Sequence, residues 1–167
     1  HIDTAIAYYR KSLAVAERLK DRAGQAIVLN NLGAIYKDQG KIGDALDAHQ
    51  RSLAIRHALH DTIGIATSLN NIGLILYDQG RIPEAMEHYT EALRMYEAVE
   101  DPSGASTALH NIAGIHRDMG DLDDALAYFD RALALERSIG DPYSLGSTED
   151  NVGNVLERQG RLDEALA

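Results

Sequence analysis

Leu69-Asn70-Asn71-Ile72-Gly73-Leu74-Ile75-Leu76-Tyr77-Asp78-Gln79-Gly80 opens the stretch that decides the fold. Arg81-Ile82-Pro83-Glu84-Ala85-Met86-Glu87-His88-Tyr89 follows, and the stretch runs on through Thr90-Glu91-Ala92-Leu93-Arg94-Met95-Tyr96 to Asp101. Forty residues to either side it returns. Leu29-Asn30-Asn31-Leu32-Gly33 becomes Leu69-Asn70-Asn71-Ile72-Gly73, then Leu109-His110-Asn111-Ile112-Ala113, then a weaker Glu149-Asp150-Asn151-Val152-Gly153. Gly40, Gly80, Gly120 and Gly160 keep the same period, as do Ala5, Ala45, Ala85, Ala125 and Ala165. Self-similarity at a fixed period of this length is the signature of stacked units that each touch only their neighbours.

Each unit carries its own punctuation. Asp21, Asp61, Asp101 and Asp141 stand where a helix N-cap belongs, accepting from backbone N–H groups that the first turn leaves unpaired. Pro102 and Pro142 follow at the first helical position, where a missing N–H costs nothing. The spacing predicts a first helix over about 62–79 in the central unit, with Ala66, Leu69, Ile72, Gly73 and Leu76 as its apolar stripe. Gly80 ends it. Pro83-Glu84 then opens a second helix that buries Ile82, Ala85, Met86, Tyr89, Ala92, Leu93 and Tyr96 and ends near Glu100. So short a connection forces the two helices antiparallel. Acidic residues at the second-helix starts (Asp44, Glu84, Asp123 with Asp124, Asp163 with Glu164) favour the positive end of the helix dipole.

The apolar spacing of Ile2, Ala5, Ile6, Tyr9, Leu13 and Ala16 makes 1–20 the second helix of a partial unit. Full units occupy 21–60, 61–100 and 101–140, and 141–167 is partial, so 1–167 reads as one array. The chain begins at His1 and stops at Ala167 within apparent helices, so the expectation is a piece of a longer protein.

Small residues explain how the hairpins close. Gly33, Gly73, Ala113 and Gly153 lie inside a helix, where glycine costs about 1 kcal/mol against alanine. A bulky neighbour from the partner helix should rest against the backbone there, with Ala45, Ala85, Ala125 and Ala165 as the matching small positions. Ser52, Ala92 and Ala132 suit the contact with the next hairpin.

This pattern resembles the tetratricopeptide repeat, in which a small residue follows Leu or Ile in the first helix, glycine sits at the turn, and Ala, Tyr or Phe, then Ala follow in the second. Here those are Ile72-Gly73, Gly80, Ala85, Tyr89 and Ala92, or Ile112-Ala113, Gly120, Ala125, Phe129 and Ala132. The forty-residue unit, with Asp-x-x-Gly leading into Leu-x-Asn-Leu-Gly, is similar to the variety in kinesin light chains and Pins-type polarity adaptors, also widespread in bacterial regulators. His49 and His116 depart from the usual aromatics, and Ala113 from glycine. The resemblance implies an all-α fold: a right-handed superhelical solenoid of antiparallel helix hairpins. It further implies a module that holds a protein or peptide segment on the concave face of the first helices.

By helical phase, the residues expected on that face are Asn30, Asn31 and Lys37, then Asn70, Asn71, Leu74 and Tyr77, then His110, Asn111 and Arg117, then Asn151 and Asn154. Asn31, Asn71, Asn111 and Asn151 form a ladder. Asparagine is a mediocre helix former, and its amide can pair with both polar groups of a peptide bond. Layers about 8–10 Å apart would meet about every third residue of a strand advancing about 3.3 Å per residue. In the families resembled, asparagines at this position grip the ligand backbone. The alternative is that they bond to each other or to the neighbouring hairpin. The face is mixed in charge and lacks the cations that clamp a terminal carboxylate pair.

Composition narrows the partners. Apolar residues are 45% and charged residues 25%, ordinary for a folded chain. A net charge of −10 repels a phosphate backbone, so nucleic acid is not expected. No apolar run reaches bilayer length and no signal-peptide pattern appears, so no membrane is expected. The absence of cysteine removes thiolate chemistry and disulfides and fits a cytoplasmic protein. His57 and His60, three apart beside Asp61, have no third ligand placed by sequence, so no metal is expected. No phosphate-cradling loop or nucleophile elbow is present. The sequence therefore reads as no enzyme and without cofactor. Two further readings stay open: a regulatory or sensor domain of a larger bacterial signalling or transcription protein, and a structural array that self-associates end to end. Glu149, where three units have leucine, is expected to bend the array or to reach solvent near an end.

Overall fold

The computed structural model describes residues 2–140 and 142–165. Asp141, expected as a cap, and the chain ends at His1 and Ala167 lie outside them, as does the Glu164 side chain. Nine helices run through the described residues: α1 Ile2–Arg18, α2 Arg22–Asp38, α3 Ile42–Leu59, α4 Thr62–Asp78, α5 Ile82–Ala98, α6 Pro102–Met119, α7 Leu122–Ile139, α8 Pro142–Arg158 and α9 Leu162–Ala165. No strand occurs among those residues, and the fold is all-α. By packing, the chain divides into a unit of residues 1–88 and a unit of residues 89–167, with α5 running through the division.

The caps form as the aspartates require. Asp21, Asp61 and Asp101 each accept from the backbone N–H three residues on, at Gly24 (2.9 Å), Gly64 (3.0 Å) and Gly104 (3.1 Å). That pairing satisfies an N–H the helix cannot pair itself. The glycine of Asp-x-x-Gly has a steric role as well. A Cβ at Gly104 would lie 2.2 Å from the Tyr96 ring, and one at Gly64 would fall within 1.8 Å of Arg56 Nη1. First helices α2 and α4 end at Gln39 and Gln79, and left-handed Gly40 and Gly80 then turn the chain.

In the first unit α1 packs on α2, α2 on α3, and α3 on α4. One core cluster holds Ile6, Val28, Leu32, Tyr36, Ala45, Ala48 and Ile75, with Tyr9 and Leu13 against it. Ile2, assigned to the apolar stripe, is exposed because it lies at the start of α1, away from that cluster. The expectation for Gly33 holds: a Cβ there would sit 2.6 Å from His49 Nε2, so the imidazole of α3 rests on the backbone of α2. Ser52 serves both neighbours, donating to Ala26 O at 2.8 Å and accepting from Ser68 at 3.4 Å.

In the second unit α6 packs on α7, α7 on α8 and α8 on α9. Ala113, Ala125, Phe129 and Val155 form its core cluster. His116 stacks on Tyr128 with ring centres 5.3 Å apart, taking the packing role of an aromatic. Glu149 takes the solvent alternative: it is exposed, 3.9 Å from Arg137.

Candidate functional site

The first-helix residues singled out from the sequence come together in two groups, one in each unit. In the first unit, Asn30 and Lys37 of α2 stand beside Asn71 and Leu74 of α4, while Asn31 and Tyr77 are half-buried on their own helices. Asn71 Nδ2 donates to Asn30 Oδ1 at 2.9 Å, and the same oxygen lies 3.1 Å from His49 Nδ1. Lys37 pairs with Asp78 across the same two helices at 3.3 Å. The ladder is therefore laced between layers at its first rung, though by Asn30 rather than Asn31. Asn70 differs from expectation: it is buried, whereas Asn30 at the same phase of α2 is half-buried. Ala34, Lys37, Asp38, His49, Asn71 and Leu74 surround a cavity of about 110 Å³. Burial pushes the His49 imidazole down to about 4, so that ring adds no charge to the wall at pH 7.

In the second unit, Arg117 of α6 organises the face. Its Nη1 donates to Asn151 Oδ1 at 2.5 Å, its Nε to Asp118 at 2.9 Å, and its carbonyl accepts from Arg158 at 2.7 Å. Asn151 also donates to its own helix at Ser147 O (2.8 Å). Asn111 is half-buried, and Asn154 is exposed. His110 Nδ1 lies 3.4 Å from Thr148 Oγ1, and its ring meets Phe129 edge-on at 5.3 Å. Burial lowers the His110 pKa, Glu136 opposes that, and Arg117 adds to it.

One cluster escaped the sequence reading. Glu136 of α7 is 3% exposed, and its Oε1 accepts from Ser106 at 2.6 Å and Thr148 at 3.1 Å. The signal was available: this position of the repeat reads Ala16, Arg56, Tyr96, Glu136, and only the last is an acid. His57 and His60 remain exposed, and His60 is the left-handed C-cap of α3. No group of three potential metal ligands forms among the described residues, and no helix there is long and apolar enough to cross a membrane.

No curated protein matches the chain. Among solved structures, BtubC (BKLC) from P. vanneervenii superposes with a TM-score of 0.84 at 23% identity, over 98% of this chain and 68% of that one. Aspartyl phosphate phosphatase F from Bacillus subtilis gives 0.86 at 21% identity, over 96% of this chain and 42% of its own length. Kinesin light chain TPR-like repeats from Podosopora anserina give 0.72 at 13%, over 99% and 82%. At these identities the likeness is one of fold. The family model for the tetratricopeptide repeat matches residues 2–58, 44–98 and 104–167. The chain belongs to the tetratricopeptide-repeat family.

Proposed function

We propose that the chain is a protein-interaction module that holds a peptide or protein segment on its first-helix faces. The observation that carries this reading is the α2–α4 face. Half-buried amides of Asn30 and Asn71 are fixed relative to each other there, beside the half-exposed Leu74 and Tyr77. Pre-positioned donors and acceptors next to apolar surface suit a backbone segment, because the ordering cost of the receptor is already met. Leu74 supplies apolar contact on this face, so Leu74→Arg should abolish capture of a peptide without changing the melting temperature. A library of extended peptides displayed against the chain provides the ligand. Retained capture by Leu74→Arg would sink the α2–α4 assignment.

A second reading has its own observation. Tyr8 and Val15 form one stripe along α1 and are 68% and 45% exposed. Ala48 and Ile55, at the matching positions of α3, are buried. An exposed apolar stripe of this kind supports end-to-end self-association. Sedimentation across a concentration series should show a dimer that Val15→Glu dissolves; a monomer at every concentration ends this reading.

A further inference from the structure

At the junction of α6, α7 and α8 lies a cavity of about 240 Å³, walled by Ser106, His110, Glu136, Tyr143, Ser147 and Thr148 among others. We propose that it receives a single organic cation, an ammonium or guanidinium carried on a short chain, with Glu136 as its anchor. The carboxylate is divided in its duties. Oε1 takes both hydroxyl donors, Ser106 and Thr148, whereas Oε2 is buried with no hydrogen-bond partner among the described residues. A buried carboxylate oxygen left in that condition is costly, and a charged N–H donor is the group that relieves it most.

The rest of the wall fits the same guest. No lysine or arginine among the described residues lines the cavity, so none of them competes for Oε2. His110 is held toward its neutral form by burial and contributes no rival charge at pH 7. Glu136 and His110 are the two strong metal ligands among the described lining residues, and no group of three forms among the described residues, a poor set for a metal ion. The volume is below the roughly 300–1,000 Å³ of pockets for drug-sized ligands, which limits the guest to a side chain or a small amine. Tyr143 and Ile139, exposed by 85% and 42%, give the wall an apolar, aromatic edge for the methylenes and the charge of such a guest.

Position explains why the cavity arises here. Arg56, at the matching place in α3, is tied to Asp61 at 2.6 Å, and Tyr96 in α5 lies over the backbone of Gly104. Glu136 is shorter than either and points its charge at a layer rich in hydroxyls. The site stands beside His110 and Asn111 of the second first-helix face. A lysine or arginine of a bound segment and a free small amine are its two possible sources of guest.

The test uses the chain with single-group probes, followed by amide chemical-shift perturbation. The probes are agmatine, Nα-acetyl-arginine N-methylamide, and the neutral isostere Nα-acetyl-citrulline N-methylamide. The expected result is saturable shifts at Ser106, His110, Glu136 and Thr148 with one or both cations and none with citrulline. Binding of agmatine alone identifies a free amine as the guest; binding of the blocked arginine as well identifies a side chain. Glu136→Gln should weaken the cation by roughly tenfold or more. Ser147→Met, which narrows the cavity and leaves Glu136 untouched, should do the same in case the first variant folds poorly. Absence of saturable shifts with both cations, equal binding of citrulline, or affinity unchanged in a folded Glu136→Gln overturns the proposal. Because no peptide is used, these outcomes are independent of peptide capture on the α2–α4 face.

Discussion

Asn71 of α4 donates to Asn30 of α2 across 41 positions of sequence, and the shared oxygen also faces His49 of α3. Three helices meet at one carbonyl oxygen. The recurring phase of asparagines therefore has a structural use at this rung, whatever else the amides contact. Asn71→Ala should lower the stability of the chain by about 1 kcal/mol, the net worth of a half-buried hydrogen bond. Asn30→Ala should cost more, about 2 kcal/mol, because it strands both donors. Urea unfolding of the two variants gives the comparison; equal midpoints with the parent protein would deny the pair any structural share.

Gly104 and Gly146 both lie near the start of a first helix, but their surroundings differ. A Cβ at Gly104 meets the Tyr96 ring at 2.2 Å, while one at Gly146 has nothing within 4 Å. Gly104→Ala must displace an aromatic ring that is itself buried, so it should cost about 2–3 kcal/mol. Gly146→Ala only gains helix propensity and should stabilise by up to about 1 kcal/mol. Opposite shifts of the thermal midpoint are the expected outcome.

These contrasts mark how far the residues could be read before the structure. Asp21, Asp61 and Asp101 declare themselves as caps because the cap is a local bond, three residues long. Gly33 could be read as a close approach because its phase recurs, and the approaching group is His49. The reason for Gly104 was not legible, since its ring neighbour belongs to the preceding helix and its rotamer is set by packing. Asn71 could be assigned to the first-helix face by its phase, but its partner across the layer depends on the rotation of two helices. Asn70 lies one residue earlier and is buried where its counterpart Asn30 is half-buried; periodicity does not show that difference, because the two share one phase. Glu136 was legible only as an acid out of register, because its partners Ser106 and Thr148 come from two other helices.

Lys20, His60 and Glu100 end their segments with φ of 57°, 54° and 54°, the left-handed region, and Gly140 takes the same place with φ 77°. A side chain there costs about 1 kcal/mol relative to glycine. Lys20→Gly, His60→Gly and Glu100→Gly should each stabilise by about 0.5–1 kcal/mol, with nearly additive effects since the sites are separate. Thermal unfolding of the triple variant, expected several degrees higher than the parent, checks this.

His49 sets a pH dependence that can be isolated. It is 1% exposed, and burial pushes its imidazole from the ordinary 6.5 down to about 4. Between those values the unfolded chain binds a proton that the folded chain does not, so stability falls as pH drops. The loss from this one group is roughly 3 kcal/mol across the window, complete near pH 4 and absent above about 6.5. Carboxylates add their own acid dependence, so the parent protein alone does not reveal the share of His49. His49→Phe removes it: Phe129 fills the equivalent place in α7, fully buried in one cluster with Ala113. Denaturant unfolding of both proteins at intervals from pH 7.5 to 4 should give a stability difference that is flat above 6.5 and then shifts toward the variant by that amount. A difference independent of pH would mean that His49 accepts its proton without leaving its seat on Gly33.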